Sequence, residues 1–156
     1  MDLEHNNSYW GMNLKWPSNF QDIIQSKGTL LAQRFLVALD NKEPEFVQKV
    51  AEELWMKIWS RDEPIGKVEN IKEVCKKLKI PDFDTIITEI NSEKVKNQLK
   101  QNTDEAYNLG AFGIPWIVVQ KQGKEPFYLF GSDRLHILCN ELECEYQGPL
   151  KNLKKN

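Results

Sequence analysis

The sequence predicts a mixed α/β protein in which a block of helices comes first and a β-β-α unit closes the chain. Three observations carry that expectation. Apolar residues recur at helical spacing between Thr29 and Leu109. Two short runs rich in β-branched and aromatic residues, Trp116 to Val119 and Phe127 to Phe130, flank the polar stretch Lys121-Gln122-Gly123-Lys124-Glu125 and predict a hairpin. A further helical pattern begins directly after Gly131-Ser132 and carries Leu135, Leu138, Cys139 and Leu142.

In chain order, residues 1 to 20 alternate polar and aromatic side chains and show no sustained period, with room for one short helix near the start. Leu30, Leu31, Phe35, Leu36 and Leu39 then predict the first long helix, with Thr29 placed to cap it. The next starts at Pro44, a residue suited to a first helical turn, and aligns Phe46, Val47, Val50, Ala51, Leu54 and Ile58 on one stripe up to about Arg61. Val68, Ile71, Val74, Cys75 and Leu78 form a third, with Lys76, Lys77 and Lys79 where cations suit the dipole and Pro81 as its stop. Asp82 is placed to cap a short helix carrying Phe83, Ile86, Ile87 and Ile90, and Asn91 or Ser92 to cap one running to Leu109, with Gly110 just beyond its end. A two-stranded hairpin has two open edges and is not stable alone in water, so these strands call for further strands or a covering partner.

Composition narrows the function. The 156 residues are 40% hydrophobic and 28% charged, the range of a folded soluble domain. A formal charge of -2 lacks the basic surface that phosphate-backbone binding needs, so no nucleic-acid partner is expected. Ile114 to Val119 falls far short of the roughly 20 apolar residues of a membrane span, so no membrane partner is expected. The opening MDLEHNNSYW has neither a basic n-region nor an apolar run, which argues against a secretory or transit signal and makes a reducing compartment the default. The three cysteines Cys75, Cys139 and Cys144 show no C-x-x-C pair and no zinc spacing; if the last helix, expected from Asp133 to about Leu142, continued to Cys144, that residue would face a different side from Cys139, and the cysteines read as structural or free thiols. His5 and His136 have no partner at metal-ligand spacing, and no metal is expected.

Two segments have chemical potential. Gly110-Ala111-Phe112-Gly113-Ile114-Pro115 puts a proline at a strand entrance, where a cis Ile114-Pro115 bond would leave the main chain of Ile114 free for an extended ligand. A trans proline that stops the helix is the plainer reading, because only about one X-Pro bond in twenty is cis. Phe130-Gly131-Ser132-Asp133-Arg134 puts free amides and a carboxylate at a helix start, a setting for a zwitterionic amino-acid group or for self-capping by Ser132 or Asp133. Trp55 and Trp59, four apart, read as packing residues. Glu52, Glu53, Asp62 and Glu63 read as a solvated face and a loop rather than an acid/base pair.

Several of these segments together resemble the kappa-class glutathione transferases, a branch of the DsbA-like thioredoxin-fold proteins that also includes 2-hydroxychromene-2-carboxylate isomerase. Glu53-Leu54-Trp55-Met56-Lys57-Ile58-Trp59-Ser60-Arg61 resembles the family's central helix. Lys94-Val95-Lys96-Asn97-Gln98-Leu99-Lys100 and Gly110 to Pro115 resemble the approach to its cis-proline strand, Phe130 to Arg134 its glutathione-binding turn, and Gly148-Pro149 its tail. The resemblance implies a thioredoxin-like fold with a large inserted helical domain, residues 1–109 being that insertion and 110–156 the β-β-α part. Met1-Asp2-Leu3 resembles the start of the insertion, so the resemblance implies an N-terminally shortened chain without the first β-α-β half and its catalytic serine; no catalytic residue is assigned. It further implies that Pro115 is cis, that Ile114 binds the cysteinyl backbone of glutathione, that Ser132 and Asp133 hold the γ-glutamyl carboxylate and ammonium, and that Asp2 stands where another aspartate contacts glutathione.

The implied activity is conjugation of the glutathione thiol to a small electrophile, a detoxification chemistry, with glutathione as co-substrate, no metal, and a homodimer as the assembly. Two alternatives stand beside it. One is a glutathione-dependent isomerase or DsbA-like oxidoreductase relative; the other is a non-catalytic helical dimerisation module, favoured if Trp10, Trp16 and Phe20 are uncovered. The family occurs in mitochondria and peroxisomes; Leu153-Lys154-Lys155-Asn156 does not resemble a peroxisomal tripeptide, so a mitochondrial or cytoplasmic location is expected.

Overall fold

The computed structural model describes residues 2–18, 20–21 and 28–149; the tail Leu153 to Asn156 lies outside them. The elements in order are α1 (Asp2–Trp10), α2 (Leu30–Asp40), a 3-10 turn (Pro44–Phe46) leading into α3 (Val47–Trp59), α4 (Val68–Leu78), α5 (Phe83–Glu89), α6 (Glu93–Asn108), β1 (Trp116–Val119), β2 (Phe127–Phe130), a 3-10 turn (Ser132–Arg134) and α7 (Leu135–Glu141). They fall into two compact units, one of residues Asn13–Gln101 and one made of the described parts of Met1–Met12 and Asn102–Asn156.

The first unit is helical because each helix has one apolar stripe that can be covered only by another helix. Its core contains Phe35 and Leu39 of α2, Val50 and Leu54 of α3, Ile71 and Val74 of α4, Ile86 of α5 and Val95 of α6. The helix ends are set less by side-chain caps than the sequence suggests. Thr29 and Asp82 occupy the N-cap positions of α2 and α5 without capping through their side chains. Ser92 does cap, its Oγ accepting the Val95 N–H at 3.3 Å. Lys79 ends α4 with a left-handed turn (φ 54): its N–H donates to Lys76 O at 3.2 Å and the Ile80 N–H to Cys75 O at 3.0 Å. The helix is therefore stopped by that fold-back rather than by Pro81. Trp55 and Trp59 part company, Trp55 being 59% exposed while Trp59 packs against the core.

The buried ammonium of Lys57 meets Glu73 at 3.0 Å and Glu63 at 3.1 Å, and Arg61 and Lys77 both pair with Glu53. These carboxylates are charge partners, not an acid/base pair. Burial pulls the Lys57 ammonium down, yet its bonds to Glu73 and Glu63 outweigh that and raise it; the bond from Lys57, with help from Arg61, holds Glu63 below its ordinary value. A carboxyl depressed in the folded state contributes stability above its unfolded value and loses it as pH falls through the folded one. Stability is thus expected to decline below about pH 4.5, and Glu63→Gln to flatten that acid limb, as read from urea midpoints across pH.

In the second unit, β1 and β2 pair antiparallel in the register Trp116↔Phe130, Ile117↔Leu129, Val118↔Tyr128 and Val119↔Phe127, the two runs that the sequence predicts. They are the whole sheet among the described residues. No helix of the described residues is long and apolar enough to cross a membrane.

Candidate functional site

The candidate site is built by the two ends of the hairpin. At its entrance, α6 closes on Gly110 (φ 92), whose N–H donates to Tyr107 O at 2.9 Å while the Ala111 N–H reaches Ala106 O at 3.0 Å. This fold-back needs the left-handed conformation that glycine adopts without a Cβ penalty. It turns the chain into Phe112-Gly113-Ile114, and the Ile114-Pro115 bond is cis. The plainer trans reading of that proline is therefore wrong, because tertiary placement rather than base frequency decides an isomer. Ile114 is 89% exposed, and no described residue engages its N–H or C=O.

At the hairpin exit, the Gly131 N–H donates to Pro115 O at 3.0 Å, extending the ladder one step beyond the Trp116↔Phe130 pair. Gly131 takes φ 96, a conformation that favours glycine, whereas the nearest atom to a Cβ there is the tip of the exposed Asp133 side chain, which can move aside. Ser132 and Asp133 follow, both exposed. Neither caps the helix through its side chain, since the cap positions are Gly131 and Arg134 and no side-chain cap bond is made. The self-capping reading thus does not hold, and the Asp133 carboxylate pairs instead with Arg134 Nη1 at 2.8 Å.

Hairpin register consequently brings Ile114 and Pro115 beside the turn that carries Ser132 and Asp133. Asp2 belongs to the same compact unit, in the first turn of α1; its carboxylate accepts from Asn6 Nδ2 at 3.3 Å, and no hydrogen bond links it to the other four among the described residues. Sequence reasoning missed an aromatic wall on the hairpin. Phe112 rests on Phe130 at 4.6 Å and on Trp116 at 5.8 Å, and Trp116 stacks on Tyr128 at 5.7 Å. A Cβ on Gly113 would lie 2.7 Å from Phe130 Cε2, so that glycine lets the loop approach the ring. Phe112 stays 76% exposed, leaving an apolar surface next to a polar turn. No group of three or more His, Cys, Asp or Glu able to hold a metal occurs among the described residues.

This arrangement is one that a peptide-like zwitterion can use: a free main-chain edge, a hydroxyl and a carboxylate on one turn, and an apolar wall beside them. The family model described as DSBA-like thioredoxin domain matches residues 1–143. "Glutathione S-transferase kappa 1" of Homo sapiens is 37% identical over 139 residues, covering 88% of this chain and 61% of that protein. The protein of the same name from Rattus norvegicus is 39% identical over 136 residues, 86% of this chain and 60% of its own length. "Glutathione s-transferase kappa 2" of Caenorhabditis elegans is 32% identical over 156 residues, 99% of this chain and 69% of that protein. The chain belongs to the DsbA-like thioredoxin-domain family and, within it, to the kappa-class glutathione transferases. It spans about three fifths of the length of the human and rat relatives.

Proposed function

We propose that this chain supplies part of a glutathione site in a protein that conjugates the glutathione thiol to small electrophiles. The observation that carries the reading is the Gly131 N–H bond to Pro115 O, which sets the exposed main chain of Ile114 beside Ser132 and Asp133. In this reading the Ile114 N–H and C=O pair with the cysteinyl residue of glutathione as an added strand would. Exposed donors of the Ser132 turn receive the γ-glutamyl carboxylate, and Asp133 exchanges Arg134 for the γ-glutamyl ammonium. Asp2 is a further contact in the same unit, and the Phe112 and Trp116 wall receives the apolar part of the electrophile. The reactive species is the glutathione thiolate, which attacks the electrophilic carbon. No residue of this chain is proposed to activate the thiol, and the assembly proposed is a homodimer.

Calorimetry with glutathione on the 156-residue chain, run beside a conjugation assay with a generic aryl halide, tests the reading. Binding without turnover is the expected result. Turnover would demand a thiol activator among residues assigned no such role, and a folded chain that binds no glutathione would overturn the site and favour an interaction module.

A further inference from the structure

We propose that Cys139 and Cys144 form an oxidisable dithiol that a small-molecule disulfide converts to an intramolecular disulfide. A helix continued to Cys144 would put it on another side from Cys139, but the backbone does not continue as a helix that far. α7 ends at Glu141, and Glu143 adopts a left-handed conformation at φ 57. The Glu143 N–H donates to Asn140 O at 3.2 Å and the Cys144 N–H to Cys139 O at 2.9 Å. This closure folds the sixth residue back over the first and brings the two cysteines next to each other. The Cys144 thiol lies near enough to act on that of Cys139 and raise it. A disulfide needs Cα atoms about 4.4–6.8 Å apart, a span compatible with two residues whose main chains share that bond.

Access and contrast support the assignment. Cys144 is exposed and Cys139 is half-buried, whereas Cys75 lies sealed in the helical unit with its thiol pushed up to about 12 by burial. Burial, and then the neighbouring Cys144 thiol, holds the Cys139 thiol above its ordinary value. A thiol held in its protonated form is a poor leaving group, so a disulfide that includes Cys139 resists reduction. The pair should therefore stay oxidised once the disulfide has formed.

Glutathione disulfide serves as the oxidant. The Cys144 thiolate, its proton given to solvent, attacks one sulfur; the S–S bond breaks and one glutathione leaves as thiolate and takes up a proton. The Cys139 thiolate then attacks the Cys144 sulfur and expels the second glutathione. Two electrons pass from the protein to the oxidant, two cysteine thiols become one disulfide, and two glutathione thiols are released.

The test is intact-mass and peptide analysis of the 156-residue chain after incubation with glutathione disulfide. No Lys or Arg lies between Cys139 and Cys144, so trypsin leaves both on one peptide. That peptide is expected to lose two hydrogens and to resist alkylation until dithiothreitol is added, while Cys75 remains alkylatable after unfolding. Cleavage after Glu141 or Glu143 should leave the halves joined. Cys139→Ser should stop at a stable glutathione adduct on Cys144. A wild-type chain that stays folded by circular dichroism overturns the proposal if it accumulates stable glutathione adducts, links Cys75, or shows no mass change.

Discussion

Phe35→Ala is expected to lower the stability of the helical unit by about 3–5 kcal/mol. Phe35 is fully buried on α2, at the centre of a core to which α3, α4, α5 and α6 each contribute side chains. Truncation removes the transfer free energy of a ring and leaves a cavity that surrounding helices only partly fill, because interiors are close-packed. A domain of this size has only about 5–15 kcal/mol in total, so the loss is a large fraction. Urea denaturation followed by far-UV circular dichroism measures it, and Phe35→Leu should cost much less. A loss under about 1 kcal/mol for the alanine variant would mean that the ring is not in the core.

Asp133→Asn is expected to weaken glutathione binding by about ten- to hundredfold, the range set by a hydrogen bond to a charged group of about 1.5–3 kcal/mol. The carboxylate is exposed and caps no helix, so its loss should leave folding intact and separate a binding role from a structural one. Its present partner is Arg134, and Arg134→Gln should leave binding equal or tighter by freeing the carboxylate. Ser132→Ala, losing one hydroxyl, should cost less than Asp133→Asn. Equal affinity for Asp133→Asn and the parent, by calorimetry at fixed ionic strength, would remove Asp133 from the site.

Much of the architecture is legible locally. The strand limits at Trp116, Val119, Phe127 and Phe130 can be read from β-branched and aromatic runs, and the helices from spacing, since both report which face a segment must bury. Capping is read less well. Ser92 caps its helix, while Thr29 and Asp82 hold cap positions without making the bond, their backbones being right-handed and left-handed helical where a side-chain cap uses an extended one. Helix ends at Lys79 and Glu143 carry no glycine to announce their left-handed turns. The second of these hid the closeness of Cys139 to Cys144 from a reading by helical spacing. The pairing of Lys57 with Glu63 and Glu73 was equally hidden, since it joins α3 to a loop and to α4.

By itself the sequence determined the order and type of the elements, the apolar stripes of four helices that supply much of the core, and the motifs that identify the family. All of these are local properties, of period, composition and short-range pattern. Only the tertiary structure decided the cis isomer at Pro115, the approach of Gly131 to its carbonyl, and the placing of Ser132 and Asp133 next to Ile114. Those depend on strand register and on main-chain bonds between residues distant in sequence, which no short segment encodes alone.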